Sequence, residues 1–309
     1  MKATLGCIAV IALILALNIS QSPIAKVTLH VVDENGANLS GVDADVTFLN
    51  PVQKTGSWGS SDTFSRSGKT DANGLFVAEE RAGFEIHYGA RAPDYYRSLG
   101  RFEFKTDKDG RYQPWNPVFD IVLRKIANPI PMYAKHVNLA VPDNNKPIGY
   151  DLAIGDWVPP YGKGKSVDIS FAQALDQRSE RDFDYSLKVT FPNPGDGIQV
   201  FVPIETSEFK SPRIAPEEGY QREWIQTRNV RPNSPGKWTR DEKRSYFVRV
   251  RTVMDGNGKI VTANYGKLYG DFLSFTYYLN PNQNSRNMEF DPRQNLFPDL
   301  RGSQRVQKP

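Results

Sequence analysis

Gly68-Lys-Thr-Asp-Ala-Asn-Gly-Leu-Phe-Val77 reads as a β-strand that arrives, turns on Asp71-Ala-Asn-Gly74 and leaves again as a strand, which is the pattern of a hairpin. Asp and Asn side chains bond their own backbone in tight turns, and Gly accepts the positive φ such turns demand. The same signature, Asp-x-(Asn/Asp)-Gly, returns at Asp33–Gly36, Asp107–Gly110 and Asp255–Gly258. Between the turns run short alternating segments: Lys26–Val32, Val42–Phe48, Phe84–Tyr88, Phe102–Phe104 and Phe119–Leu123. A polar loop at 52–67 carries Trp58. Short strands at regular spacing, split by turn signals, specify a β-sandwich over 26–125.

Downstream, Lys125-Ile-Ala-Asn-Pro-Ile-Pro131 is punctuated by proline, which places a linker at 126–131. Residues 132–297 again read as strands, best at Val137–Val141, Val167–Phe171, Tyr185–Phe191, Gln199–Pro203, Tyr246–Val253, Ile260–Ala263 and Leu273–Leu279. One short helix is expected over Ser170–Arg181, with Phe171, Ala174 and Leu175 on one face. Pro212, Pro216, Pro232 and Pro235 predict a long irregular stretch over 205–240, and polar composition predicts a disordered tail at 298–309. Tyr277 and Tyr278 are adjacent, so strand alternation sends one ring into the core and one outside. The expected fold class is all-β: a prealbumin-like (Ig-like) sandwich followed by a larger sandwich-type domain.

Gly41-Val-Asp-Ala-Asp-Val-Thr-Phe48, Gly68–Phe76 and the aromatic strand at 84–88 resemble the carboxypeptidase regulatory-like, transthyretin-like module. The resemblance covers 26–125, and implies a small accessory sandwich without catalytic residues. Asn128–Tyr133, Gly155–Lys163 and Phe275–Asn280 with Arg286–Pro292 resemble, more loosely, an uncharacterised family of secreted bacterial proteins. That likeness implies a self-contained domain and brings no activity with it.

The net charge is +4, or +3 without Lys2, which is too little to argue for nucleic acid. Residues 1–25 read as a signal peptide: Lys2 starts it, Leu5–Leu17 is apolar over 13 residues, and Ser20, Ser22 and Ala25 are small. Such a run is shorter than the roughly 20 residues of a spanning helix. The sole cysteine, Cys7, lies in this leader, so a mature chain without it is expected to have no disulfide or thiol chemistry; no transmembrane segment is expected in it, and the expected destination is export to the periplasm, cell surface or medium.

Catalytic motifs are scarce. Counting twelve positions from each turn Asp gives Ala44, Ala82, Val118 and Gly266, none of them the Glu that closes a calcium-binding EF-hand loop. His30, His87 and His136 lack metal-ligand spacing, and no Gly-x-Ser-x-Gly elbow occurs. No cofactor is expected. The second domain is rich in rings, with Trp157, Tyr161, Trp224, Trp238, Tyr265, Tyr269, Tyr277 and Tyr278. Most belong in packing. Trp157 and Tyr161 sit in a loop stiffened by Pro159 and Pro160, with Lys163 beside them, and form the candidate ligand contact. The expected function is a secreted or envelope-associated, non-enzymatic binding or structural protein, with a glycan or a surface protein as partner. The alternative is a carbohydrate-active hydrolase, since paired carboxylates leave no motif.

Overall fold

A computed structural model describes residues 23–49, 63–138, 140–144, 146–239 and 244–309; the leader 1–22 with Cys7, and Trp58, lie outside them. The chain divides into two compact units: the first runs to Ile126 and includes Glu205–Phe209, and the second holds Ala127–Ile204 and Lys210–Pro309. Both are built of strands, and the helical structure among the described residues is one 3-10 turn, Gly302–Gln304.

The first unit contains β1 (Ile24–Asp33), β2 (Asp43–Leu49), β3 (Thr63–Lys69), β4 (Leu75–Arg81), β5 (Glu85–Arg91), β6 (Tyr95–Tyr96), β7 (Ser98–Glu103), β8 (Lys105–Thr106), β9 (Tyr112–Gln113) and β10 (Val118–Lys125). Two four-stranded sheets, β4-β1-β10-β6 and β3-β2-β5-β7, enclose one core. Alternation supplies that core: Val27, Leu29 and Val31 from β1 meet Val46 and Phe48 from β2, and all five are fully buried. Each such side chain contributes about 1.5–3 kcal/mol on leaving water.

The Asp71–Gly74 turn departs from the hairpin expectation. β3 pairs with β2 while β4 pairs with β1, so the turn carries the chain from one sheet to the other. Its local chemistry is as read: Asp71 Oδ1 accepts the N–H groups of Asn73 and Leu75, both at 2.8 Å. Gly74 has φ +75°, and a Cβ there would lie 2.6 Å from the Val31 carbonyl oxygen. Asp33, Asp107 and Asp255 repeat the two-bond pattern to the residues two and four further on. The last two join paired strands as true hairpins. The turn sequence fixes a reversal; which sheet the returning strand joins is set by the core.

The second unit contains β11 (Ile130–Asn138), β12 (Ile148–Asp151), β13 (Asp156–Trp157), β14 (Ile169–Ser179), β15 (Asp182–Thr190), β16 (Gly197–Phe201), β17 (Glu223–Arg231), β18 (Ser234–Trp238), β19 (Ser245–Met254), β20 (Ile260–Asp271), β21 (Ser274–Leu279) and β22 (Phe290–Asn295). Two six-stranded sheets, β16-β19-β20-β21-β11-β22 and β13-β12-β14-β15-β17-β18, pack Phe171, Leu187, Val189, Tyr246, Leu268, Phe275 and Tyr277 between them.

Three expectations fail here. The helix over Ser170–Arg181 is strand β14, paired along its length with β15. Phe171 and Leu175 also fit a period of two, and cross-strand pairing overrides the weaker helical reading. The stretch 205–240 contains β17 and β18, and its Pro235 is tolerated because β18 is an edge strand. From the tail, Val306 packs beside Met132, Tyr278 and Phe290, and the Tyr278 hydroxyl donates to the Lys308 carbonyl at 3.0 Å. Tyr278 is therefore 3% exposed although it faces away from the main core. A second apolar layer, with Ala215, Met288 and Phe290, covers that outer face of the sheet, so both rings of the Tyr277-Tyr278 pair are buried.

Candidate functional site

Burial along β14 falls away as the strand advances. Ile169 and Phe171 are fully buried, Gln173 is half-buried, and Leu175 is 51% exposed. Strands β15 and β17 show the same gradient, from buried Leu187 and Gln226 to half-buried Tyr185 and exposed Arg228. These positions share one face by strict alternation. The end of the sheet thus runs past the core and leaves its inner face open.

The open face is a groove of about 350 Å³ lined by Leu175, Gln177, Phe183, Tyr185, Arg228, Trp238 and Leu273. Register explains the convergence: Leu175 lies opposite Tyr185, Tyr185 opposite Arg228, and Arg228 opposite Trp238. Four strands so contribute one row, about 14 Å long at the usual interstrand spacing. The Arg228 guanidinium stands 5.2 Å from the Phe183 ring centre and 4.9 Å from that of Trp238. No carboxylate pairs with Arg228 among the described residues, although Trp238 itself is 42% exposed. The Tyr185 phenol is pushed up by burial and by the Asp271 carboxylate. One row closer to the core, the buried Gln226 Nε2 has no acceptor among the described residues.

The neighbouring carboxylates Asp176, Asp182 and Asp184 are held by Arg178, and Arg231 also reaches Asp182 and Asp184. Asn229, Arg178 and Arg231 hold the Asp184 carboxyl well below its ordinary range. By alternation these charges project to the opposite side of the sheet from the groove.

A second polar centre ties the two sheets of this unit together. Arg251, with φ +58° at a bulge in β19, reaches Asp168 Oδ1 and Asp151 Oδ1, each at 2.8 Å. Burial alone would raise Asp151, but the N–H groups of Lys165, Ile154 and Ser166, with Arg251, bring it below its ordinary value. For Asp168 burial wins, and its pKa stays raised although Arg251 and the Leu152 N–H pull it back. Asp151 and Asp168 form a close carboxylate pair, yet their oxygens are occupied by backbone donors and the guanidinium. The arrangement serves as a cross-sheet tie.

Comparison with known proteins adds no identity. No protein-family model matches the chain, and no curated protein matches it. Among solved structures it is similar to 3-chlorocatechol 1,2-dioxygenase from Rhodococcus opacus 1CP, at 12% identity and TM-score 0.26, over 34% of this chain and 61% of that one. It is similar to the full-length major pilin SpaD from Corynebacterium diphtheriae, at 12% identity and TM-score 0.27, over 81% and 61%. It is also similar to BcpA, the major pilin subunit of Bacillus cereus, at 12% identity and TM-score 0.24, over 88% and 97%. The chain spans 61% of the length of the first two. Likeness at these scores carries no argument about activity.

The loop singled out in the sequence is held by its own bonds. Trp157 is half-buried and meets Tyr150 and Phe171 edge-on, with ring centres 5.3 and 5.7 Å apart. The Tyr161 hydroxyl donates to Asp143 at 2.8 Å, and Lys146 stands over its ring. The Lys163 N–H donates to Asp156, while its side chain is exposed. Trp157 lines a polar cleft of about 300 Å³ with Lys135, His136, Asn138, Asp156 and Gln304; Tyr161 and Lys163 do not line it. Burial lowers the Lys135 ammonium, which donates to the Gly155 carbonyl. The groove escaped sequence reading because β17 was hidden by prolines. The alternation Trp224, Gln226, Arg228, Val230 was the signal available for it.

Proposed function

We propose that this chain is an exported, non-enzymatic binding protein of the cell envelope or surface, whose second domain holds a glycan in the groove between Leu175 and Trp238. The observation that carries the reading is the groove itself. It is concave and of ligand-binding size, with rings and aliphatic side chains on its walls and one cation among them. Sugar rings present apolar faces to aromatic planes and hydroxyls to polar tips, and Phe183, Tyr185, Trp238 and Gln177 offer both kinds of partner.

The first domain then serves as an accessory sandwich of the carboxypeptidase regulatory-like kind, which its two four-stranded sheets support. Export rests on Lys2 and the apolar run Leu5–Leu17. A second reading keeps the Asp156–Lys163 loop as a ligand contact, favoured by the polar cleft beside Trp157.

The test is a panel of surface and plant-type polysaccharides, scored for binding and for product release. Retention that is lost in Trp238→Ala, with no product formed, is the expected outcome. Turnover abolished by changing one Asp or Glu would establish the hydrolase alternative instead.

A further inference from the structure

We infer that the groove recognises an acidic saccharide, through a carboxylate of a uronic-acid residue on Arg228. The inference rests on the glycan-binding reading above and names the ligand class within it.

Arg228 is placed unlike Arg178 and Arg231 at this end of the sheet. Arg178 and Arg231 each engage aspartates on the opposite side. Arg228 has two rings for neighbours, Phe183 and Trp238, and no carboxylate among the described residues. Rings attract the charge of a guanidinium but accept none of its five N–H donors, which lie in its plane. Those donors are a fork for a carboxylate, which a planar guanidinium binds through two parallel bonds.

The surroundings select what the carboxylate is attached to. On either side of Arg228 in the cross-strand row stand Tyr185 and Trp238, with Leu175 beyond Tyr185. A ligand that reaches Arg228 therefore lays its body over rings and aliphatic carbon. A free inorganic anion would meet the cation and leave the ring and aliphatic walls of the groove unused. A uronic-acid residue fits both parts: its carboxylate meets the guanidinium while its ring face lies on Trp238 or Tyr185. The row, about 14 Å long, also accommodates neighbouring sugars of a chain.

The test uses the mature chain and oligosaccharides of galacturonate, glucuronate and mannuronate, each compared with its methyl ester. Esterification removes the charge and keeps the sugar. The expected result is binding of at least one acid, weakened at least tenfold by esterification and weakened again by added salt. Arg228→Gln should reduce affinity for the acid by about 10- to 100-fold, the range of a charge-assisted bond, without lowering the melting temperature. Arg228→Lys should retain part of the affinity, since it keeps charge and loses the fork. Equal binding of acid and ester would overturn this inference and leave the glycan reading standing. Failure of every acid to bind, with a neutral polysaccharide retained and lost in Trp238→Ala, would do the same. Failure of all glycans, acidic and neutral, would overturn both. The acid–ester comparison on the unaltered protein decides even if an Arg228 variant does not fold.

Discussion

Replacing Arg251 should destabilise the second domain more than any groove substitution. Asp168 is 1% exposed and Asp151 2% exposed. Removing the cation that bridges them leaves two buried carboxylates to repel each other, and breaking such a pair from one side costs about 3–5 kcal/mol. Arg251 is itself 33% exposed on its side chain, so solvent screens part of the interaction and the lower end, about 3 kcal/mol, is expected. At about 2–4 °C per kcal/mol for a domain of this size, the melting temperature should fall by about 6–12 °C in Arg251→Ala. The left-handed φ adds a discriminator. Alanine carries a strain of about 1–2 kcal/mol there that glycine does not, so Arg251→Gly should lie above Arg251→Ala. The pH dependence has a definite sign. Asp168 has a folded pKa above its unfolded value, so ionising it weakens the fold as pH rises through that window, and without Arg251 the window extends upward. The deficit against the unaltered protein should be largest where Asp168 is ionised in both proteins and shrink as pH falls through the folded pKa of Asp168. Thermal melts across pH 4 to 8 read this directly. A melting temperature within a degree of the unaltered protein, or a deficit independent of pH, would refute the cross-sheet tie.

Two other outcomes follow from the same geometry. Gln226→Leu removes a buried amide whose Nε2 lacks an acceptor, and should raise stability by about 1–2 kcal/mol in urea unfolding; a loss of that size would mean the amide is bonded in solution. Ile24 pairs with Arg81, and Ala25 is fully buried. Cleavage after Ala25 would therefore remove the start of β1; if the chain is exported as proposed, mass spectrometry of the processed protein should find an N-terminus at or before Pro23, and one at Lys26 would contradict that.

Local chemistry was legible in the sequence where it is self-contained. The four Asp turns have the carboxylate-to-backbone bonds their residues imply, and the alternation of Val27, Leu29 and Val31 marks β1 correctly. Pairing was not legible, because it depends on distant strands. Nothing in Asp71–Gly74 says that β3 and β4 join different sheets. Burial on the outer face of β21 was hidden for the same reason, since it is supplied by Met288, Phe290 and Val306 from later in the chain. The groove combines both failures. Leu175, Tyr185, Arg228 and Trp238 lie on four different strands, and only the register of three strand pairs aligns them. Trp157, prominent in sequence for its proline-rich loop, meets Tyr150 and Phe171 within its own domain.

The most direct measurement compares two variants on one retained polysaccharide. Trp238→Ala should lose retention while its stability changes by less than about 1 kcal/mol, as expected for a ring at the exposed end of a sheet. The double change Trp157→Ala, Tyr161→Ala should lose about 3 kcal/mol or more of stability, because Trp157 packs on the core, and should keep its retention at temperatures where it is folded. Retention unaffected by Trp238→Ala, and lost in the double variant without a fall in melting temperature, would contradict the account and move the binding site to the Asp156–Lys163 loop.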